Sequence, residues 1–137
     1  MKEANLKKGV ALILAMFTLV FISILVVAFL ELLTSDLVIT TNHLGRLRAL
    51  YTAEAGVEYA ISQLRTSVNW SAPSGETMDF PTGSDNSYTV TRTAGSRVIE
   101  SSGQVDSNKF IATVEARISI RSGSPNIIRI VSYQETK

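Results

Sequence analysis

The hydrophobic residues of this chain follow three patterns in succession. Residues 10–30 read VALILAMFTLVFISILVVAFL, an apolar run without charge, glycine or proline. From residue 31 to residue 68, apolar residues recur at helical spacing among polar ones, and from residue 87 they alternate with polar residues, as in strands. The order of these patterns predicts an α+β chain in which one long N-terminal helix packs on a small antiparallel sheet.

The first pattern predicts a helix that is long enough to cross a membrane. At about 1.5 Å per residue, the run spans the roughly 30 Å hydrocarbon core of a bilayer. Lys2, Lys7 and Lys8 precede the run, whereas little charge follows it closely. This lysine bias predicts a single span with a cytoplasmic N-terminus and a C-terminal domain on the other side of the membrane.

The second pattern, from residue 31 to residue 68, predicts an amphipathic helix with one face on the sheet. The expected stripe comprises Leu33, Leu37, Leu44, Leu47, Leu50, Val57, Ala60, Ile61, Leu64 and Val68. Thr40, Thr41 and Asn42 are poor helix formers, and Gly45 follows them. We therefore expect a kink or break between Thr40 and Gly45.

The stretch from residue 69 to residue 86 predicts a connecting loop. It contains two prolines and two glycines among many Ser, Thr and Asp residues. Trp70 and Phe80 are expected either to plug this loop onto the domain or to stand exposed as anchors for a partner. Glu76, Asp79 and Asp85 offer oxygen ligands for a cation, but their spacing fits no familiar calcium loop.

The third pattern, over residues 87–137, predicts about four antiparallel strands. The expected strands are Ser87–Thr93, Arg97–Ser101, Lys109–Arg121 and Ile127–Tyr133, with turns at Asp106–Asn108 and Ser122–Asn126. Within Lys109–Arg121 the alternation places the even-numbered positions from Phe110 to Ile120 on the core. In the last strand, either Ile127, Val131 and Tyr133 or Ile128 and Ile130 face inward.

Composition removes several function classes. The 13 basic and 12 acidic residues nearly balance, and the only cluster of basic residues is formed by the N-terminal lysines. The sequence therefore predicts no nucleic-acid partner. The absence of cysteine excludes disulfides and thiolate chemistry. His43 stands alone, and no catalytic or phosphate-binding motif occurs. We expect a protein that is not an enzyme and that has no cofactor or metal.

The N-terminal residues add a specific resemblance. A short basic leader that ends in Gly9, before an apolar helix that begins at Val10, resembles the class III signal of type IV pilins and type II secretion pseudopilins. The resemblance implies that a prepilin peptidase removes residues 1–9 and methylates Val10. A plain membrane anchor remains an alternative; a secretory signal peptide fits less well, because the run is long and no small-residue cleavage site follows it.

A second resemblance lies within the amphipathic segment. Residues 49–60 read ALYTAEAGVEYA. This resembles the A-x-x-A-E-A-G-x-E-x-A box of PilX-type minor pilins, whose central residues here are Ala53, Glu54, Ala55, Gly56 and Glu58.

Physical reasoning gives the same box a structural role. Ala53, Gly56 and Ala60 form a small-residue face, which allows a helix or strand to approach closely. Glu54 and Glu58 are an i,i+4 like-charge pair that costs a few tenths of a kcal/mol without a cation. Arg65 or a neighbouring subunit is the expected source of that cation. We expect a structural role for the two carboxylates, with a binding role as the alternative.

One position departs from the family pattern. Most pilins carry Glu at the fifth mature position, which is Leu14 here. That Glu is thought to pair with the N-terminal amine of a neighbouring subunit, because an ammonium in an apolar fibre needs a counter-charge. Glu31 lies about 25 Å further along the helix and cannot replace it. The departure is typical of PilX-type and K-type tip subunits; alternatively, Leu14 is only a suitable membrane residue.

Together the resemblances imply a minor pilin of a type IV pilus, placed in the tip or initiation complex. Its partners would be other pilins and minor pilins through the N-terminal helix, the prepilin peptidase and the inner-membrane assembly platform. Two alternatives stay open. One is a type II secretion pseudopilin, and the other is a membrane-anchored binding module that never polymerises.

Overall fold

A computed structural model describes residues 2–136 of the chain, with side chains from residue 10 onward. Its elements are α1 (Lys2–Thr66), β1 (Ala72–Asp79), β2 (Ser87–Arg92), β3 (Val98–Val105), β4 (Phe110–Arg121) and β5 (Ile127–Thr136). The strands form one antiparallel meander in the order β1-β2-β3-β4-β5. The predicted α+β architecture of a long helix on an antiparallel sheet is confirmed, with one strand more than expected.

The chain divides into two compact units, Met1–Thr41 and Asn42–Lys137. The described residues of the first unit are entirely helical. The second unit contains the C-terminal part of α1 and the whole sheet, and it holds all of the buried hydrophobic core.

The helix runs without a break from Thr40 to Gly45, so the expected break was wrong, and the alternative of a kink stays a prediction. The Thr41 hydroxyl donates a hydrogen bond to the Leu37 carbonyl one turn earlier, at 2.8 Å. Gly45 lies under the Phe110 ring, where a Cβ atom would come within 2.4 Å of that ring. Glycine at position 45 therefore lets the Phe110 ring pack closely on the helix, although glycine has a low helix propensity. The helix ends at Thr66, two residues before the expected end at Val68.

The predicted loop over residues 69–86 contains a strand, which corrects the expected boundaries. β1 pairs with β2 from Ala72 to Asp79, and its register shifts between Ala72 and Glu76. Gly75 lies in this irregularity with φ +80, a left-handed conformation that favours glycine. Pro73 is tolerated because β1 is an edge strand. The turn-forming residues thus mark a bulged edge strand.

The core forms between the helix and the inner face of the sheet. The helix contributes Ala49, Thr52, Ala53, Val57, Ala60, Ile61 and Leu64. Phe110, Ala112, Val114, Ala116 and Ile118 of β4 are buried, and Ile120 is half-buried, which confirms the predicted alternation. The expected helical stripe starts later than predicted, because Leu33, Leu37 and Leu44 are all exposed.

β3 and β5 both extend beyond their predicted ends. β3 continues through Gly103 to Val105. In β5, Ile128 packs against the core, and Ile130 lies opposite Ile118. The register then shifts, so that Tyr133 lies opposite Ala116 on that same face. This irregularity explains why a strict period of two left the inward face of the last strand undecided.

Candidate functional site

The segment Val10–Ile39 of α1 is the largest exposed apolar surface in the described part of the chain. Its Val, Leu, Ile, Met and Phe side chains are all between 45 and 71% exposed. Its most apolar window has a mean hydropathy of 3.1, and none of that window is buried. By length and composition, α1 therefore contains one candidate membrane-spanning helix near the N-terminus.

The predicted processing and assembly residues all lie along this helix. Gly9 and Val10 are helical, and the Val10 side chain is 61% exposed; the surroundings of residues 1–9 lie outside the described side chains. Leu14 is 65% exposed and Glu31 is also exposed. The expectations about cleavage, methylation and the missing carboxylate at Leu14 remain predictions.

The small residues of the box lie in the interface between helix and sheet. Ala53, Gly56 and Ala60 are all buried against the inner face of the sheet. A Cβ atom at Gly56 would come within 2.2 Å of the Ser101 Oγ and 2.9 Å of the Tyr88 ring. The close approach that the small-residue face predicts is therefore confirmed, and the approaching elements are β2 and β3. Ala55 is half-buried at the edge of this interface.

The sheet contributes a glycine to the same close approach. A Cβ atom at Gly103 would come within 2.2 Å of the Ala49 carbonyl oxygen and 2.4 Å of the Ala53 nitrogen. Since both are backbone atoms, only movement of the helix could make room. Glycine inside a strand indicates such close backbone approach, but the predicted strand ended at Ser101, so Gly103 lay outside it.

The carboxylates of the box lie beside β5. Glu54 is half-buried and Glu58 is exposed. The pKa of Tyr133 is raised, first by desolvation and then by the Glu54 carboxylate, with smaller effects from Glu135 and Glu58. The expected ion pair between Glu58 and Arg65 does not form: across the described side chains, ion pairing is confined to Arg117 and Glu115, at 3.1 Å. Tyr133 thus lies near the two carboxylates, and a cation from a neighbouring subunit stays a prediction.

An aromatic group adjoins the box. The Tyr59 hydroxyl donates a hydrogen bond to Glu76 Oε1 at 2.7 Å, and this bond, together with burial, raises the Tyr59 pKa. Trp70 meets the Tyr59 ring edge-to-face at 6.2 Å and packs against the core. Trp70 therefore packs the segment between α1 and β1 against the domain, whereas Phe80 is 46% exposed beside Tyr88.

A buried arginine, Arg92, binds the segment that follows the helix. Only 2% of Arg92 is exposed, and it donates hydrogen bonds to the Trp70 carbonyl and, at 3.1 Å, to the Ser96 carbonyl. Desolvation lowers its pKa. Alternation along β2 places Arg92 on the same strand face as Tyr88 and Val90, but the sequence carries no signal that the guanidinium binds backbone carbonyls.

The candidate cation ligands do not converge. Within the described side chains, no three His, Asp or Glu residues come together as metal ligands. Glu76 instead accepts the Tyr59 hydrogen bond, and His43 is exposed on the helix.

Comparison with known proteins finds no matching protein family, no similar curated protein and no similar solved structure. The resemblance to pilins therefore rests on the residues quoted above.

Proposed function

We propose that this chain is a minor pilin of a type IV pilus, assembled through its N-terminal helix. The observation that carries the proposal is the contrast along α1. Val10–Ile39 exposes bulky apolar side chains on all sides, while the helix from Gly45 to Leu64 is packed on the sheet of its own chain. A helix of the first kind is suited to lipid and, after extraction, to contact with similar helices in a fibre.

The proposal assigns a topology and a maturation step. The N-terminal lysines stay in the cytoplasm, and the sheet domain lies across the inner membrane. Prepilin peptidase cuts between Gly9 and Val10 and methylates Val10. The mature chain then has 128 residues, nine fewer than the 137 of the sequence, and it carries 10 basic and 11 acidic residues.

Leu14 favours a place at the tip or in the initiation complex. A subunit with Leu14 offers no carboxylate to the amine of a subunit that is added beyond it, so the best position is one where no such subunit exists. A Leu14→Glu variant should enter the shaft more readily. Unchanged pilus content and subunit position in that variant would contradict the tip assignment.

Processing is tested with a Gly9→Ala variant and with a strain that lacks the peptidase. Both should leave the chain at full length in the membrane, whereas the wild-type chain should migrate as a shorter product and occur in sheared pili. A wild-type chain that matches the uncut variant in mobility and never occurs in pili would favour a membrane-anchored binding module instead. Dependence on a secretion apparatus in place of a pilus would favour a type II secretion pseudopilin.

A further inference from the structure

Two exposed arginines and a serine border a small cleft at one end of the sheet. The cleft has a volume of about 210 Å³ and is lined by Ser119 and Arg121 of β4 and by Ile127 and Arg129 of β5. In the β4–β5 register, Ser119 lies opposite Arg129 and Arg121 lies opposite Ile127. All four side chains therefore belong to the outer face of the sheet, opposite the helix.

The charge of this cleft is not balanced by a carboxylate in the described part of the chain. Glu115 is the nearest acidic residue along β4 and already binds Arg117 at 3.1 Å. Arg121 lies six positions beyond Glu115 along the strand, which is about 20 Å. The backbones of Arg65 and Arg97 also lie at this end, bonded to Asn126 and Ile118 respectively. The end thus presents guanidinium groups, which bind carboxylates in a fixed planar geometry.

β5 is an edge strand whose outer backbone groups pair with no other described strand. Its first part, from Ile127 to Ile130, keeps a regular register before the irregularity opposite Arg117 and Ile118. Ile127 is 50% exposed and Val131 is 70% exposed. The opposite edge, β1, is blunted by Pro73 and by the register shift at Gly75, as is common for edges that are protected from pairing.

We propose that the β5 edge beside this cleft binds an extended acidic peptide segment of a partner protein by strand addition. The added strand would pair with Ile127–Ile130, and its apolar side chains would cover the exposed isoleucines. A Glu or Asp opposite Arg129 would have its Cβ about 4.5–5.5 Å from that of Arg129, a distance at which opposite charges stabilise a strand pair. Arg121, one strand further, adds a second positive charge to the same cleft.

The arrangement favours a peptide over a nucleic acid. The outer face carries Glu100 and Glu115 directly opposite each other in the β3–β4 register, so a long polyanion that crossed the sheet would meet carboxylates. No aromatic side chain lines the cleft for base stacking. The inference depends only on the sheet and stands or falls separately from the proposed role in a pilus.

The test uses the full chain in detergent micelles and an alternating peptide of Val, Thr and Glu, with a peptide in which Lys replaces each Glu as the control. Amide hydrogen exchange reports backbone pairing, and titration reports affinity. We expect the acidic peptide to protect amides of Ile127–Ile130, and we expect Arg129→Glu to weaken binding about tenfold or more. The matched control Arg48→Glu reverses an exposed charge on the helix and should leave binding unchanged.

Three outcomes would overturn the proposal. The first is binding that protects no β5 amide, and the second is an acidic peptide that binds no better than its lysine counterpart. The third is binding of a short DNA duplex that depends on Arg129 without amide protection, which would assign the cleft to nucleic acid. The Arg121→Gln variant approximately keeps the side-chain length and is tolerated at an exposed site. Its binding therefore reports the loss of the charge and not a loss of folding.

Discussion

Residues 10–39 and residues 45–64 belong to one continuous helix, yet their side chains differ in size as well as in burial. The first region is built from Leu, Ile, Val and Phe, and its large apolar side chains are all at least 45% exposed. The second region meets the sheet through a mixture of buried residues: the small ones are Gly45, Ala49, Ala53, Gly56 and Ala60, and the larger ones are Thr52, Val57, Ile61 and Leu64.

The difference shows that hydrophobicity and side-chain size carry separate information. Bulky apolar residues on every side suit a deformable partner such as lipid, whereas small residues on one side let a rigid backbone approach within van der Waals contact. In the second region, that backbone is Gly103 of β3. In the first region, the described chain supplies no such partner.

The largest effect on stability is expected when a larger side chain is introduced where the helix and the sheet approach closely. Gly103→Val should destabilise the sheet domain by more than the about 1–3 kcal/mol usual for overpacking, because its Cβ would collide with backbone atoms of Ala49 and Ala53. Thermal or denaturant unfolding followed by near-UV circular dichroism measures the loss. Gly83→Asn is the matched control: no atom lies within 4 Å of an added Cβ there, and Asn tolerates the positive φ. Equal stability of the two variants would show that the close approach is not required.

A charge placed in the first region should impair membrane insertion and leave the stability of the sheet domain unchanged. Val20→Arg puts a cation near the middle of the candidate span, which costs about 2.5–3.5 kcal/mol of membrane insertion. The sheet domain should unfold as in the wild type, because residue 20 lies in the other compact unit. Membrane fractionation together with the same unfolding assay checks both parts. Loss of sheet-domain stability with intact insertion would reverse the assignment of the two regions.

A smaller effect is expected where a helix glycine meets a side chain. Gly56→Ala should cost about 1–3 kcal/mol, because the new Cβ would approach Ser101 Oγ within 2.2 Å. Ser101 Oγ is buried without a hydrogen-bond partner, so Ser101→Ala should be neutral or stabilising.

The double variant sharpens this prediction. Gly56→Ala combined with Ser101→Ala should lose less stability than the sum of the single changes, since the clash with Oγ is removed; the clashes with Tyr88 and Val90 remain. Strict additivity in a double-mutant cycle would argue that the two residues do not touch.

The smallest effect concerns alkaline pH. The pKa values of Tyr59, Tyr88 and Tyr133 are raised from 10.0, so above that pH the folded chain holds more protons than the unfolded chain. The free energy of unfolding should therefore be unaffected by these groups below about pH 10 and should fall as the pH rises further. Tyr59→Phe should reduce this slope in unfolding experiments at alkaline pH. Stability that rises over the same range would contradict the assignment.

Much of the fold was predictable because its patterns are strong. The apolar run predicts a helix and the alternation from Phe110 to Ile120 predicts a strand, and the structure confirms both elements. β1 was missed because Pro73 and Gly75 signal a turn, although both are compatible with a bulged edge strand. The break expected between Thr40 and Gly45 is absent, because local propensity is weak compared with the cooperativity of the flanking helix.

The candidate site was predictable to a lesser extent. The small face of Ala53 and Gly56 was evident from the sequence, but its partner Gly103 lies 47 residues beyond Gly56, and no local pattern connects the two. The same holds for the cleft between Arg121 and Arg129, which only the strand register brings together.

The mass of the native chain in membranes and in sheared pili tests the central proposal most directly. The account predicts a product of 128 residues that begins with N-methylated Val10, in both fractions. A native chain that retains an uncut Lys8-Gly9-Val10 peptide and is confined to the membrane fraction would contradict it.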